Sequence, residues 1–112
     1  MDEERFSIKK LVEYQKANLV DADLTGANLV GADLTTAKLI GANLRKANLC
    51  GAKLIGTNLN KADLRKASLR EADLRKASLR EADLTDADLR GADLTGQNRD
   101  DLKSRGAILN KE

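Results

Sequence analysis

The sequence predicts an all-β protein in which short extended segments and corners alternate along one continuous coil. Three observations support this fold class. Leucine occupies every fifth position from Leu19 to Leu94, sixteen times without a gap. A small residue stands two positions before each leucine, alanine in fifteen cases and Thr57 in the other. Glycine recurs two positions after the leucine, where its conformational freedom suits a tight corner.

The five-residue period excludes an amphipathic helix. Each helical residue advances by about 100°, so leucines five apart would be rotated by about 140° and would spread around the whole helix. Alanine and leucine are two apart, which places both side chains on one side of an extended chain. We therefore expect both to fill a narrow interior. The predicted core leucines are Leu19, Leu24, Leu29, Leu34, Leu39, Leu44, Leu49, Leu54, Leu59, Leu64, Leu69, Leu74, Leu79, Leu84, Leu89 and Leu94.

The run from Ala17 to Gly96 resembles the pentapeptide-repeat family, whose motif is Ala-(Asp/Asn)-Leu-x-x. Twelve of the sixteen units carry Asp or Asn before the leucine, as in Ala22-Asp23-Leu24. The departures are Lys38, Lys53, Ser68 and Ser78. The resemblance implies a right-handed quadrilateral β-helix, a pentapeptide-repeat solenoid with four units per coil and about four coils. Periodicity alone leaves three or four sides per coil open.

Both ends of the chain leave the repeat, which divides it into an N-terminal cap (1–16), the repeat domain (17–96) and a C-terminal cap (97–112). In the first cap we predict a short helix over residues 3–11, followed by one degenerate unit that contains Val12 and Tyr14. In the last cap, Asn98 can begin a helical turn over residues 99–105. Gly106 can end that turn, and residues 107–109 are expected to fold over the last coil. Such caps cover exposed edges. One of them could instead mediate end-to-end dimerisation, as C-terminal segments do in some relatives, so a monomer and such a dimer both remain open.

Composition narrows the functional classes. The 112 residues include no His and no glycine loop of the phosphate-binding or dinucleotide-binding type, so we predict no catalytic residues, no cofactor and no metal site. The net charge of +2 provides no general attraction to nucleic acid or to a membrane surface. One cysteine, Cys50, allows no internal disulfide, and the N-terminus lacks the pattern of a secretory signal. We therefore expect a cytoplasmic protein, and the family resemblance implies a prokaryotic source.

The outward residues that follow each leucine fall into four columns when four units form a coil. The early units carry apolar residues there, whereas residues 57–96 contain eight basic and eight acidic side chains. Asp63 and Arg65 are two apart on one outward face and are expected to pair, as are Asp73 with Arg75 and Asp88 with Arg90. The candidate interaction surface consists of Val20, Val30, Ile40, Ile55, Arg45, Arg65, Arg70 and Arg90.

These features predict a non-catalytic β-helical scaffold or protein-interaction module. Its expected partner is another protein, and neither nucleic acid nor a membrane is expected. An alternative function follows from the resemblance: some pentapeptide-repeat proteins mimic B-form DNA, bind DNA gyrase and protect it from quinolones. Those relatives look longer, more acidic and dimeric, whereas this chain is near neutral.

Overall fold

A rod of stacked four-sided coils forms the body of the molecule, with overall dimensions of 45 × 22 × 20 Å. The computed structural model describes residues 8–15 and 18–111. In chain order the elements are helix α1 (Ile8–Gln15), the coils over residues 18–96, helix α2 (Arg99–Ser104) and a last extended segment around Ile108. The repeat therefore supplies the scaffold on which every outward side chain is placed.

Each five-residue unit forms one side of a coil. Its Ala-Asx-Leu segment is extended, and the middle residue pairs in parallel with the residue 20 positions later, as Asp23 does with Asn43. Twenty residues are four units, so each coil has four sides. The pairing is one residue long on each side. Face A carries Asp23, Asn43, Asp63 and Asp83; face B carries Asn28, Asn48, Ser68 and Asp88; face C carries Asp33, Lys53, Asp73 and Asp93; face D carries Lys38, Asn58 and Ser78.

Backbone hydrogen bonds join each coil to the next in a repeating pattern. The N–H of Leu24 donates to the carbonyl of Asn43 at 2.7 Å, and the N–H of Asn43 donates back to the carbonyl of Ala22 at 2.9 Å. At the corner, the N–H of Ala27 donates to the carbonyl of Leu24 at 3.0 Å, which closes a tight turn. This pattern satisfies the backbone groups that a thin tube would otherwise leave unpaired.

Every corner places its second residue in the left-handed region, with φ between 59° and 88° for residues 21–96. Seven of these positions are glycine, but nine carry other residues, including Thr36 at φ 60°. Such a conformation costs a residue with a Cβ about 1–2 kcal/mol. The corner therefore favours glycine without requiring it.

The interior is filled by the leucine and alanine columns. All sixteen leucines of the repeat are buried, and twelve of them are at most 1 % exposed. Thr57, which stands in an alanine position, is also completely buried, and its hydroxyl donates to the carbonyl oxygen of Leu34 at 2.7 Å. A polar side chain is tolerated there because it has a hydrogen-bond partner.

Helix α1 covers the start of the tube and corrects one prediction. Val12 and Tyr14 were expected in a degenerate repeat unit, but both lie in α1, which continues to Gln15. The helix places Val12 over the core, where it is 4 % exposed, and the carboxylate of Glu13 accepts the N–H of Asp33 at 2.8 Å. That carboxylate supplies the acceptor that a further coil would otherwise provide. Residues 3–7 of the predicted helix lie outside the described residues.

Helix α2 covers the other end. Asn98 begins it as expected, because its side chain accepts the N–H of Asp101 at 3.0 Å. The helix ends at Ser104, one residue earlier than predicted, and Leu102 is buried against the core. Gly106 follows with φ 97°, and a Cβ there would approach the Cα of Thr85 to 2.9 Å. A side chain at this position would therefore collide with the last coil.

Two polar side chains of this cap bind the open edge of the last coil. The Gln97 amide donates to the carbonyls of Leu74 and Ala77 at 3.0 and 2.9 Å. One guanidinium nitrogen of Arg105 donates to the carbonyls of Leu79 and Ala82 at 2.9 and 3.0 Å. The carbonyls of Ala77 and Ala82 have no following coil to supply a backbone N–H, whereas those of Leu74 and Leu79 also accept the turn N–H groups of Ala77 and Ala82.

The last extended segment adds one more layer to face B. Ile108 pairs in parallel with Asp88, again 20 residues earlier. Ala107 and Leu109 therefore occupy the alanine and leucine positions of the repeat, and Ala107 is buried. The predicted contact of residues 107–109 with the last coil is thus made in register, as a fifth layer of one face.

Candidate interaction surface

The outer surface of the tube carries no built metal site within residues 8–15 and 18–111. No group of three His, Cys, Asp or Glu side chains in these segments is arranged to hold a metal ion. In the same part of the chain, no helix is long and apolar enough to cross a membrane. The chemistry of this surface therefore comes from the side chains that project from corners and faces.

The four apolar candidate residues do not form a common patch. Val20 and Ile40 lie at the corner between faces D and A, whereas Val30 lies at the diagonally opposite corner and Ile55 between faces C and D. Val20 and Val30 are each 43 % exposed, and the two isoleucines are half-buried. Scattered apolar residues of this kind are ordinary on a protein surface.

The four candidate arginines, in contrast, lie around one face. Arg45 and Arg65 are stacked one coil apart at the corner between faces A and B. Arg70 and Arg90 are stacked in the same way at the corner between faces B and C. Face B therefore lies between two short columns of guanidinium groups.

All three expected Asp–Arg pairs are present, with charged hydrogen bonds. Arg65 approaches the carboxylate of Asp63 to 2.6 Å, and its Nε lies 3.7 Å from Asp83 in the next coil. Arg75 pairs with Asp73 at 2.6 Å, and Arg90 pairs with Asp88 at 2.7 Å. The side-chain hydrogen bond from the arginine holds the pKa of Asp63 below its usual range. The pKa values of Asp73 and Asp88 are lowered by the same kind of bond.

The Asx residue of the repeat also has a local role that sequence reasoning missed. Its side-chain oxygen accepts the backbone N–H two residues later, as Asn43 does from Arg45 at 3.2 Å and Asn48 from Cys50 at 3.1 Å. This Asx turn stabilises the entry to the corner that follows an Asx residue and explains the preference for Asp or Asn. Where Ser78 replaces Asx, the N–H of Arg80 instead donates to Asn60 in the preceding coil at 2.9 Å.

Carboxylates of the Asx columns are concentrated on two opposite faces. Face A carries three aspartates and face C carries three, whereas face B carries one and face D none within the described coils. On face B the first three coils present only Asn28, Asn48 and Ser68, and Ser68 contacts the free thiol of Cys50 at 3.0 Å. Face B is therefore largely neutral between its two arginine columns.

A basic groove lies at the corner between faces A and B. It has a volume of about 270 Å³ and is lined by Arg45, Lys46, Arg65 and Lys66. We call these four residues the corner groove. Sequence reasoning identified its two arginines but missed the lysines, because the columns followed only the residue directly after leucine. A spacing of 20 between the pairs Arg45-Lys46 and Arg65-Lys66 was the available signal.

This architecture defines a class of protein: a β-helical solenoid of five-residue units with helical caps. A family model described as pentapeptide repeats matches residues 17–56 and again residues 57–96. The chain belongs to the pentapeptide-repeat family.

Solved structures of other pentapeptide-repeat proteins are similar to the chain. Rfr23 from the cyanobacterium Cyanothece 51142 is 33 % identical with a TM-score of 0.69, over 81 % of this chain and 58 % of that protein. The Nostoc PCC 7120 protein alr5209 is 34 % identical with a TM-score of 0.46, over 92 % of this chain and 95 % of that protein. No curated protein matches the chain. The part of Rfr23 that this chain matches is 58 % of the length of that protein.

Proposed function

We propose that the chain is a non-catalytic, right-handed β-helical scaffold that binds another protein through its outer side chains. The observation that carries this proposal is the grouping of Arg45, Arg65, Arg70 and Arg90 around face B. The leucine and alanine columns occupy the interior, so chemical variety is confined to the outward positions. An interaction scaffold needs only such a rigid surface, whereas catalysis usually needs a cleft.

A protein partner fits this surface better than a nucleic acid does. Strong nucleic-acid binding uses an extended basic surface, often with aromatic side chains on which bases stack. Here faces A and C flank face B with aspartates, and the chain contains only one Phe and one Tyr. Protein interfaces commonly combine arginine with neutral polar residues, which is the composition around face B.

The DNA-mimic function remains an alternative that no contact of the described residues favours. A mimic of B-form DNA would present columns of carboxylates in the place of phosphates. Faces A and C carry three aspartates each, but Arg65 lies against Asp63 and Asp83, and Arg75 lies against Asp73 and Asp93. Face B adds four arginines and three neutral Asx-position residues. We expect the protein neither to inhibit supercoiling by DNA gyrase nor to protect the enzyme from a quinolone. Either effect in a supercoiling assay would replace the scaffold proposal with the mimic.

An affinity pull-down from the native host, identified by mass spectrometry, tests the proposal. The control keeps every leucine and alanine of the core and permutes the outward residues of the coils. A specific protein captured by the wild-type chain and lost with the permuted surface is the expected result. Equal capture by both chains, or capture of no protein by the wild type, would contradict a role for the outer side chains. The location in the cytoplasm is part of the same proposal and determines which extract is used.

A further inference from the structure

We propose that the corner groove binds an acidic segment of the partner protein, in an inference that rests on the proposed scaffold function. The groove brings four cationic side chains from two successive coils to one place on the surface. Arg65, Lys46 and Lys66 are exposed, and Arg45 is half-buried. Carboxylates carried on a flexible, extended segment are the chemical partner that such a cluster selects.

The charge of Arg45 is not neutralised within its own unit. Arg65, Arg75 and Arg90 each follow an aspartate by two residues and form a charged hydrogen bond with it. Arg45 follows Asn43, whose side chain accepts the backbone N–H of Arg45 but carries no charge. Asp23 and Asp63 on face A attract the Arg45 guanidinium without forming an ion pair with it. A carboxylate from a partner could therefore bind Arg45 without displacing a hydrogen-bonded pair.

The two lysines of the groove are placed at a cost to the free chain. Lys46 and Lys66 stand in one column, separated by about 4.8 Å of coil spacing, so their like charges repel. Both adopt the left-handed backbone conformation, with φ 61° and 60°. Gly26 and Asp86 occupy the same column, which indicates that the fold does not need lysine there. An anion bound between the lysines would relieve their repulsion.

The surroundings of the groove define the direction of approach and the size of the ligand. Besides Asp86 in the following coil, the aspartates near the groove lie on face A, whereas Asn48 and Ser68 on face B are uncharged. An acidic ligand therefore approaches from face B. The cationic column is bounded by Gly26 in the preceding coil and by Asp86 in the following one. Its two cationic layers are therefore about 4.8 Å apart, which suits one or two acidic side chains and is short for a nucleic-acid backbone.

Fluorescence anisotropy with a labelled hexaglutamate peptide tests the groove directly. The variant Arg45→Gln/Lys46→Gln/Lys66→Gln removes three charges at this corner. The matched control, Lys38→Gln/Lys61→Gln/Lys76→Gln, removes three charges on and beside face D. Because these are outward positions, circular dichroism should show both variants folded. We expect the peptide Kd to rise about tenfold in the groove variant and by less than about twofold in the control.

The outcomes separate a local site from a general charge effect. Equal weakening in both variants, or no weakening in either, would contradict the inference. A short duplex DNA that binds more tightly than hexaglutamate, with the same dependence on the groove, would also overturn it. In the host pull-down, a partner retained by the groove variant but lost with the permuted surface would reject the groove and leave the scaffold function intact. Hexaglutamate binding at the groove without any captured host protein would reject the scaffold function instead.

Discussion

Thr57 and Leu34 are joined by a hydrogen bond inside the core, where the Thr57 hydroxyl donates to the Leu34 carbonyl oxygen at 2.7 Å. Thr57 is the one departure from alanine among the small residues of the repeat, and it is completely buried. The same carbonyl also accepts the N–H of Ala37 at 2.9 Å. The hydroxyl therefore adds a second bond to a turn that is already closed.

Replacement of Thr57 by valine keeps the volume of the side chain and removes this bond. We expect Thr57→Val to lower the free energy of unfolding by about 1 kcal/mol, the usual net contribution of a buried hydrogen bond. Urea denaturation followed by circular dichroism measures the change. A valine variant as stable as the wild type would show that the threonine is merely tolerated in the alanine column.

Gln97 provides a second stability test, because alanine at this position would restore the repeat motif. The structure predicts the opposite of what the motif suggests. Gln97→Ala should lower the free energy of unfolding by about 1–2 kcal/mol, since the carbonyls of Leu74 and Ala77 lose a donor. Gln97→Glu should lower the free energy of unfolding further, because a carboxylate would face the two carbonyl oxygens. An alanine variant more stable than the wild type would contradict the role given to this cap.

The corner at Thr36 predicts a stabilising substitution. This β-branched residue has φ 60°, a conformation that glycine adopts without a steric penalty. We expect Thr36→Gly to raise the free energy of unfolding by about 0.5–1 kcal/mol after the added entropy of the unfolded chain. The reverse substitution Gly26→Thr should lower the free energy of unfolding by a similar amount, although a Cβ there would meet no atom within 4 Å. Thermal melts in which both variants lose stability would exclude backbone strain as the cause.

The Asp–Arg pairs predict how stability depends on pH. Arginine hydrogen bonds lower the pKa of Asp63, Asp73 and Asp88 in the folded chain. The stability that these three ionised aspartates add to the fold is fully present above the unfolded pKa of about 3.9. It is lost as the pH falls through the lower pKa of the folded chain. The wild type should therefore lose stability below about pH 4.

Replacement of the three arginine partners by glutamine provides the control for this pH effect. Arg65→Gln/Arg75→Gln/Arg90→Gln should reduce the loss of stability on acidification and have a small effect at neutral pH, where exposed pairs contribute little. Melting temperatures measured from pH 2 to pH 7 compare the two chains. If the melting temperatures of the two chains fall in parallel as the pH is lowered, the pairs do not contribute to the loss of stability in acid.

Much of the tube could be predicted from the spacing of Ala, Asx and Leu, because an extended unit fixes which side chains point inward. The same geometry predicted that Asp63 would meet Arg65. The four sides of each coil came from the family resemblance, since the period does not set the corner angle. The unit containing Val12 and Tyr14 was wrong because the chain there is helical, which buries Val12 and leaves Tyr14 exposed on the other side of the helix. The backbone N–H of Asp33 donates to the carboxylate of Glu13, a residue of that helix. The five-residue spacing of the repeat does not predict this bond.

The candidate surface was predictable only in part. A shared column follows from a lag of 20, so Arg45 and Arg65 could be placed together. The separation of Val20 from Val30 follows from the same rule, since two units turn the chain to the opposite corner. The lysines of the corner groove were missed because their position had been assigned to the turn alone. The stacking of two charged turn residues is recognised only when positions 20 apart in the sequence are compared.

Site-specific photocrosslinking tests the central claim, that the partner protein binds on the side of face B. One coil offers four matched positions, since Asn43, Asn48, Lys53 and Asn58 occupy the same place in successive units on faces A, B, C and D. A photoreactive amino acid at each position in turn would be activated in the native host. The account predicts the strongest protein adduct from position 48 and the weakest from position 58. Equal adducts from all four positions, or an adduct only from position 58, would contradict it.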